Sequence, residues 1–187
     1  MSGSTVFYNI TINPGAGVTL TTDNIMRIAG SLSNSGSLDA TEFPNTVEYN
    51  GGNQIAINPN GATAGYYHLI LSGSGTKTLP VTSLSIFGDF TTSGAAIATA
   101  AAPMMITGNL TIGKGSSFVT GTYNHSIGGN FENNGTFTAS TGGTVTMNGS
   151  SAQSLFGTVT ASFYDLTINN SQVVSVLNNV NIDHALT

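Results

Sequence analysis

One motif returns along this chain at a nearly fixed interval. Ile-x-Gly, then a polar residue, then Leu or Phe, occurs as Ile28-Ala29-Gly30-Ser31-Leu32, Ile86-Phe87-Gly88-Asp89-Phe90, Ile106-Thr107-Gly108-Asn109-Leu110 and Ile127-Gly128-Gly129-Asn130-Phe131. A further Gly follows each copy, at Gly36, Gly94, Gly115 and Gly135. The last three copies start at residues 86, 106 and 127, a spacing of 20 and then 21. A repeat of that length is one turn of a solenoid, in which every turn buries its apolar side only by stacking on its neighbours.

The material between the glycines is strand material. Tyr8-Asn9-Ile10-Thr11-Ile12, Leu84-Ser85-Ile86, Leu110-Thr111-Ile112, Thr144-Val145-Thr146-Met147 and Leu166-Thr167-Ile168 alternate apolar and polar with period two, and each ends in Gly, Asn or Ser. Helix formers at a 3.6-residue period are nearly lacking; residues 95–102 alone read as a short helical turn, stopped by Pro103. The chain is therefore expected to be all-β, a parallel β-helix of roughly nine coils with about 20 residues each, about 45 Å long. Right-handedness follows from the general rule for parallel crossovers. Residues 1–4 read as a tail and 5–187 as a single domain.

Composition fits that architecture. Only 6% of the residues are charged, and Thr, Ser, Asn and Gly together make up about half the chain. Stacked coils put identical positions about 5 Å apart, so like charges repel while Thr pairs with Thr, and corners call for Gly and Asn. The formal net charge of −5, with three scattered basic residues, does not match a run of phosphates, so nucleic acid is not an expected partner. No apolar run is long enough to insert into a membrane as a helix, and the lack of Cys removes disulfides and thiolate metal sites.

Longer echoes overlie the coil. Phe7-Tyr8-Asn9-Ile10-Thr11-Ile12 returns at offset 156 as Phe163-Tyr164-Asp165-Leu166-Thr167-Ile168, and more loosely as Tyr66-Tyr67-His68-Leu69-Ile70-Leu71. Thr46-Val47-Glu48-Tyr49-Asn50-Gly51, leading to Gln54, returns at offset 98 as Thr144-Val145-Thr146-Met147-Asn148-Gly149, leading to Gln153. These echoes suggest coils nested in a larger unit. Phrases of this kind, with Gly108-Asn109-Leu110-Thr111-Ile112, resemble the repeat regions of very large secreted surface proteins of gliding-type Gram-negative bacteria, many of which leave by the type IX secretion route. The resemblance extends over most of residues 5–186. It implies a parallel β-helix in a secreted or cell-surface setting, with a role in adhesion or surface structure.

Catalytic chemistry finds little support in the sequence. The acids Asp23, Asp39, Glu42, Glu48, Asp89, Glu132, Asp165 and Asp183 are dispersed, although coil stacking could bring Asp89 near Glu132 or Asp165 near Asp183. His68, His125 and His184 lie on different repeats without metal-ligand spacing. Neither an enzyme, a cofactor nor a metal is expected, with a polysaccharide lyase or hydrolase as the weakest alternative. For binding, period two along Phe7-Tyr8, Tyr66-Tyr67 and Phe163-Tyr164 turns the second ring of each pair inward and the first outward, which makes Phe7, Tyr66 and Phe163 candidate contacts for cell-surface glycans. Thr-x-Thr occurs at 19/21, 76/78, 120/122, 136/138, 144/146 and 158/160, too unevenly to predict one ice-binding stripe.

No cap is legible at either end, and residues 7–32 are matched by 163–186. The expectation is a structural, extracellular β-solenoid: a stiff spacer or adhesin stalk that is one segment of a longer solenoid, or a fibre subunit stacking on copies of itself end to end.

Overall fold

A computed structural model describes residues 3–187, with side chains from Val6 onward. It is a β-solenoid of nine coils without a helix among the described residues, and each coil contributes up to three short strands, giving the stack three faces. Face 1 is one sheet of nine parallel strands: Gly3–Phe7, Asn24–Ile28, Thr46–Tyr49, His68–Leu71, Phe90–Thr92, Leu110–Ile112, Phe131–Asn133, Gln153–Gly157 and Val174–Val176. Face 2 holds Ile10–Ile12, Leu32–Asn34, Gln54–Ile55, Ser74–Thr78, Ala95–Thr99, Ser117–Val119 and Thr136–Thr138, and face 3 holds Gly17–Thr19, Ser37–Asp39, Leu84–Ile86, Met104–Ile106, His125–Ile127 and Thr144–Met147. In the last two coils faces 2 and 3 run together in Ala161–Ile168 and Val180–Leu186. Register partners such as Phe90 with Leu110, Leu110 with Phe131 and Thr46 with His68 are 20, 21 and 22 residues apart.

Alternate residues of every strand point inward to a continuous apolar column. Along face 1 the column passes through Met26, Val47, Leu69, Phe90, Leu110, Phe131 and Leu155, all buried. Edge-to-face and tilted rings fill the middle of the stack: Phe90 meets Phe118 at 5.4 Å between centroids, and Phe131, Phe137 and Phe163 lie 5.0–5.3 Å from one another. Residues 95–102 form no helical turn. Ala95–Thr99 is a strand, and Ala96, Ala98, Ala100 and Ala102 are buried at alternate positions. Ala98 is fully buried in register between Lys77 and Phe118, so its methyl packs between two large inward side chains and tertiary packing overrides alanine's helix propensity. The first strand described is Gly3–Phe7.

The repeated Gly motif proves to be a corner. Ile86, Ile106 and Ile127 end face 3 and the Leu or Phe four residues on starts face 1, whereas Ile28 ends face 1 and Leu32 starts face 2. Gly108 illustrates why the corner needs Gly: a Cβ there would lie 2.5 Å from Asp89 Oδ1 and 2.6 Å from the carbonyl of Gly88 in the coil below. Polar side chains continue the ladder where the backbone turns. Asp89 Oδ1 accepts from Asn109 N–H at 2.7 Å, Asn109 Oδ1 from Asn130 N–H at 2.8 Å, and Asn130 Oδ1 from Ser154 N–H at 2.8 Å.

The long echoes are also corners, displaced around the section. Tyr49 ends face 1, while Met147 ends face 3. Their offset of 98 residues is close to four and two-thirds coils of about 21, so the same segment reappears two faces further on. No larger unit encloses the coils; the reused module is one face plus one corner.

Candidate functional site

The aromatic pairs lie the other way round from the sequence expectation. Tyr66 and Phe163 are fully buried and Phe7 packs against the core, whereas Tyr8 is 75% exposed. The reason is the corner itself. From Phe7 to Ile10, from Tyr66 to Leu69 and from Phe163 to Leu166 the inward positions are three residues apart, because the chain turns or bulges between them, so a parity counted along one straight strand fails. Phe7, Tyr66 and Phe163 are therefore not outward rings. The outward ones are Tyr8, Tyr67 and Tyr164, and Tyr164 is covered by the parallel ring of His184 at 5.0 Å.

The titratable groups are placed as follows. Asp89 and Glu132 border one shallow depression of about 200 Å3 on face 1. Their rungs are two apart, about 10 Å along the axis, and each is engaged: Asp89 by Asn109, Glu132 by Asn134 Nδ2 at 2.6 Å. Asp165 meets not Asp183 but His184, whose Nδ1 lies 2.7 Å from its Oδ1, because an irregularity in the pairing brings His184 round to it. His68 Nδ1 accepts from Asp89 N–H at 2.9 Å. His125 is buried, with Nε2 donating to Thr120 O at 2.8 Å and Nδ1 accepting from Met104 N–H at 3.2 Å; burial pushes its pKa below the usual 6.5. Among the described residues no three His, Cys, Asp or Glu side chains gather as metal ligands.

Two interior polar clusters escaped the sequence reading, and both lie in the third coil or border it. Lys77 is wholly buried, its ammonium donating to Gly51 O and Gly52 O at 2.7 Å and to Gln54 Oε1 at 2.5 Å, and burial lowers its pKa to about 8. The signal was present: Lys77 shares parity with Leu79, between the outward Thr76 and Thr78. The second cluster joins Tyr49 and Tyr66. Tyr66 OH donates to Ile57 O, Tyr49 OH donates to Tyr66 OH at 3.0 Å, and Ile57 N–H donates to Tyr49 OH at 3.2 Å. Burial raises both phenols, Tyr49 to about 12.

Face 2 is interrupted beside these clusters. Leu32–Asn34 pairs only with Ile10–Ile12, and Gln54–Ile55 only with Ser74–Thr78. Side-chain amides replace the missing ladder: Gln54 Nε2 donates to Ile28 O and Gly30 O, and Asn60 Nδ2 to Gly36 O. An uncharged groove of about 750 Å3 lies over the break. Beyond it, Thr76/Thr78, Ile97/Thr99, Ser117/Val119 and Thr136/Thr138 stack in register as two outward columns, so two of the Thr-x-Thr pairs do share a face, interrupted by Ile97, Ser117 and Val119.

Exposed apolar side chains occur in both end coils, as they do at Phe43, Ile55 and Val81 within the stack. The inward column that contains Leu155, 1% exposed, continues to Val176, 53% exposed; the column of Leu166, 2% exposed, continues to Leu186, 62% exposed. At the other end Phe7, Ile10 and Val18 are only partly buried, while their partners Ile28, Leu32 and Leu38 are buried. Comparison with known protein families, with curated proteins and with solved structures finds no match.

Proposed function

We propose that this chain is a structural element of an extracellular or cell surface: a stiff spacer or adhesin-type stalk whose work is to hold what lies at its two ends a fixed distance apart. The observation that carries this reading is the sheet of face 1, in which nine strands from Gly3 to Val176 are hydrogen-bonded rung to rung over the whole stack. Ladders of Asp89, Asn109 and Asn130 extend the pairing across a corner, so the rod resists bending at its vertices as well as on its faces. The surface location rests on the resemblance of the repeats to those of secreted bacterial surface proteins and on the neutral, hydroxyl-rich exterior.

The spacer reading is tested by distance. The chain has no Cys, so spin labels placed by Thr11→Cys and Asn181→Cys report on face 2 of the first and last coils alone. Eight rungs separate them, about 38 Å. A single narrow distance distribution near that value is expected; a broad or bimodal one refutes a rigid spacer. Antibody against the chain should label intact source cells, and labelling only after permeabilisation refutes the surface location.

A further inference from the structure

We propose that the break in face 2 between the second and third coils is a slot for a guest strand, and that it takes up an extended, uncharged segment of another polypeptide by strand augmentation. The two coils stay paired along face 1, where residues 25–28 meet 46–49 rung to rung, and they part only on face 2. There most Cα–Cα pairs between Leu32–Asn34 and Gln54–Ile55 exceed 8 Å, whereas paired strands stand about 4.8 Å apart. The groove of about 750 Å3 occupies this opening. It lies within the stack, with the first two coils on one side and all the others on the opposite side.

The hydrogen-bond phase of the two edges fits one strand. Ile10 N–H donates to Ser31 O and Ser35 N–H to Ile12 O, so Ser31, Ser33 and Ser35 turn their peptide groups to the first coil, while Leu32 and Asn34 turn theirs to the break. On either side of these two the same edge is already taken, Gly30 O by Gln54 Nε2 and Gly36 O by Asn60 Nδ2. On the opposite edge Ala56 N–H donates to Thr78 O of the fourth coil, so Gln54 and Ala56 look away from the break and Ile55 and Ile57 look into it. Ile57 is occupied, since its C=O accepts from Tyr66 OH and its N–H donates to Tyr49 OH. Ile55 pairs with nothing on this side among the described residues. Three guest residues running parallel to the coils complete the ladder. The middle one donates to Leu32 O and accepts from Asn34 N–H, the first accepts from Ile55 N–H, and the third donates to Ile55 O.

This pattern names the occupant. Two acceptors and two donors, spaced by the rise of a strand on two facing edges, are met at once by one peptide backbone. An unpaired edge is a template for a further strand, and here two edges face each other, so the guest is held from both sides. Gln54 and Asn60 close the lower edge beyond Leu32 and Asn34 and limit the paired part of the guest to about three residues. Charge selects as well. No residue lining the groove is ionisable, and the middle guest residue stands outward between Ser33 and Ile55, where a charge would meet no counter-charge. Ile55, 70% exposed, is then covered on its open side by that residue.

The test uses the whole chain and, as probe, a capped peptide of residues 94–100, an uncharged strand of this same face with small residues alternating about Ile97. In the free protein amide exchange should be fast at Leu32, Asn34 and Ile55 and slow at Ala56, which is bonded within the stack. Peptide at millimolar concentration should slow Asn34 and Ile55 several-fold and leave Ala56 unchanged. The same peptide carrying Ile97→Pro lacks a needed N–H and should do neither. In the protein, Ile55→Pro removes a donor that the stack does not use, so it should keep a native circular dichroism spectrum and lose the response at Asn34. If that variant fails to fold, the wild-type exchange data with the two peptides decide alone. Equal protection of Ile55 and Ala56 in the free protein would show the break closed and overturn the proposal. A peptide that slows neither amide, or a proline peptide that slows both, overturns it as well. Protection by maltoheptaose in place of the peptide also overturns it and marks a sugar groove. The rod reading stands apart from all of these outcomes and is judged by the label distance.

Discussion

Gln153 offers the sharpest test of how the corners hold. Its side chain is buried, its Oε1 accepts from Gly149 N–H at 2.9 Å, and its Nε2 donates to Ile127 O at 2.9 Å and to Gly129 O. One amide therefore clamps its own corner to the corner of the coil below. Gln153→Leu keeps the approximate volume and removes every one of these bonds. Ile127 O keeps a partner in Asn148 N–H at 3.0 Å, and Asn170 Nδ2, which also donates to Gln153 Oε1 at 2.8 Å, keeps Ser151 O, so two groups, Gly149 N–H and Gly129 C=O, are left without a partner. An unsatisfied buried group costs about 1–3 kcal/mol, and because Gly129 O is only part-buried the sum should fall at about 2–4 kcal/mol. Denaturant unfolding gives the total, and amide exchange at Gly149 localises it, with protection falling at coils 7 and 8 before the rest of the stack opens. Gln153→Glu should be worse near neutral pH, since a carboxylate oxygen then faces two carbonyls. A loss below about 1 kcal/mol with unchanged exchange at Gly149 would refute the clamp.

The remaining predictions concern protonation and the glycine corners. Lys77 has a native pKa of about 8 against its ordinary 10.5, so between those values the unfolded chain binds more protons and stability should rise with pH, by about 2 kcal/mol from pH 7.5 to 9.5. Lys77→Met should flatten that rise in denaturant midpoints measured across the range, and a rise that persists in the variant would reject the assignment. By the same sign rule His125, held below 6.5, loses stability as pH falls through that value, and Tyr49, held at about 12, loses it as pH climbs above 10. Gly108→Ala, which drives a Cβ into the Gly88 backbone, should lower the melting temperature by several degrees, while Gly52→Ala, with nothing within 4 Å, should leave it within about a degree. Equal effects of the two would show that close approach is not what the corner requires.

What the sequence disclosed and what it hid divide along one physical line. The coil length was legible because three corners of one kind, at Gly88, Gly108 and Gly128-Gly129, occupy the same vertex on consecutive turns. Strands were legible wherever alternation ran uninterrupted, as in Leu110-Thr111-Ile112. Parity was lost at every vertex, since a turn of one or two residues resets which side chains point inward, and so Tyr66 and Phe163 were assigned to the wrong side. The vertex occupied by a given motif was equally hidden. Gln54 and Gln153 do identical work on different corners, Gln54 Oε1 accepting from Gly51 N–H while its Nε2 donates to Ile28 O and Gly30 O, because a Gly-containing turn with an amide three or four residues later fits any corner of a three-sided coil.

The scarcity of charge follows from the same stacking. An outward residue has a neighbour about 4.8 Å above and below it in its own column, so a charge is stable there only if the next rung answers it. Several of those that occur are answered. Arg27 stands in register over Glu48, with Nε 2.7 Å from Oε2, and Ser72 Oγ donates to the other oxygen of Glu48 at 2.6 Å. Asp89 stands under the donors of Asn109, Asp165 under His184, and the inward Lys77 is met by three oxygens. Chance substitution to a charge fails this condition at nearly every position, whereas Thr, Ser and Asn satisfy it against copies of themselves. A chain that grows by duplicating one face and one corner therefore loses charge as it lengthens.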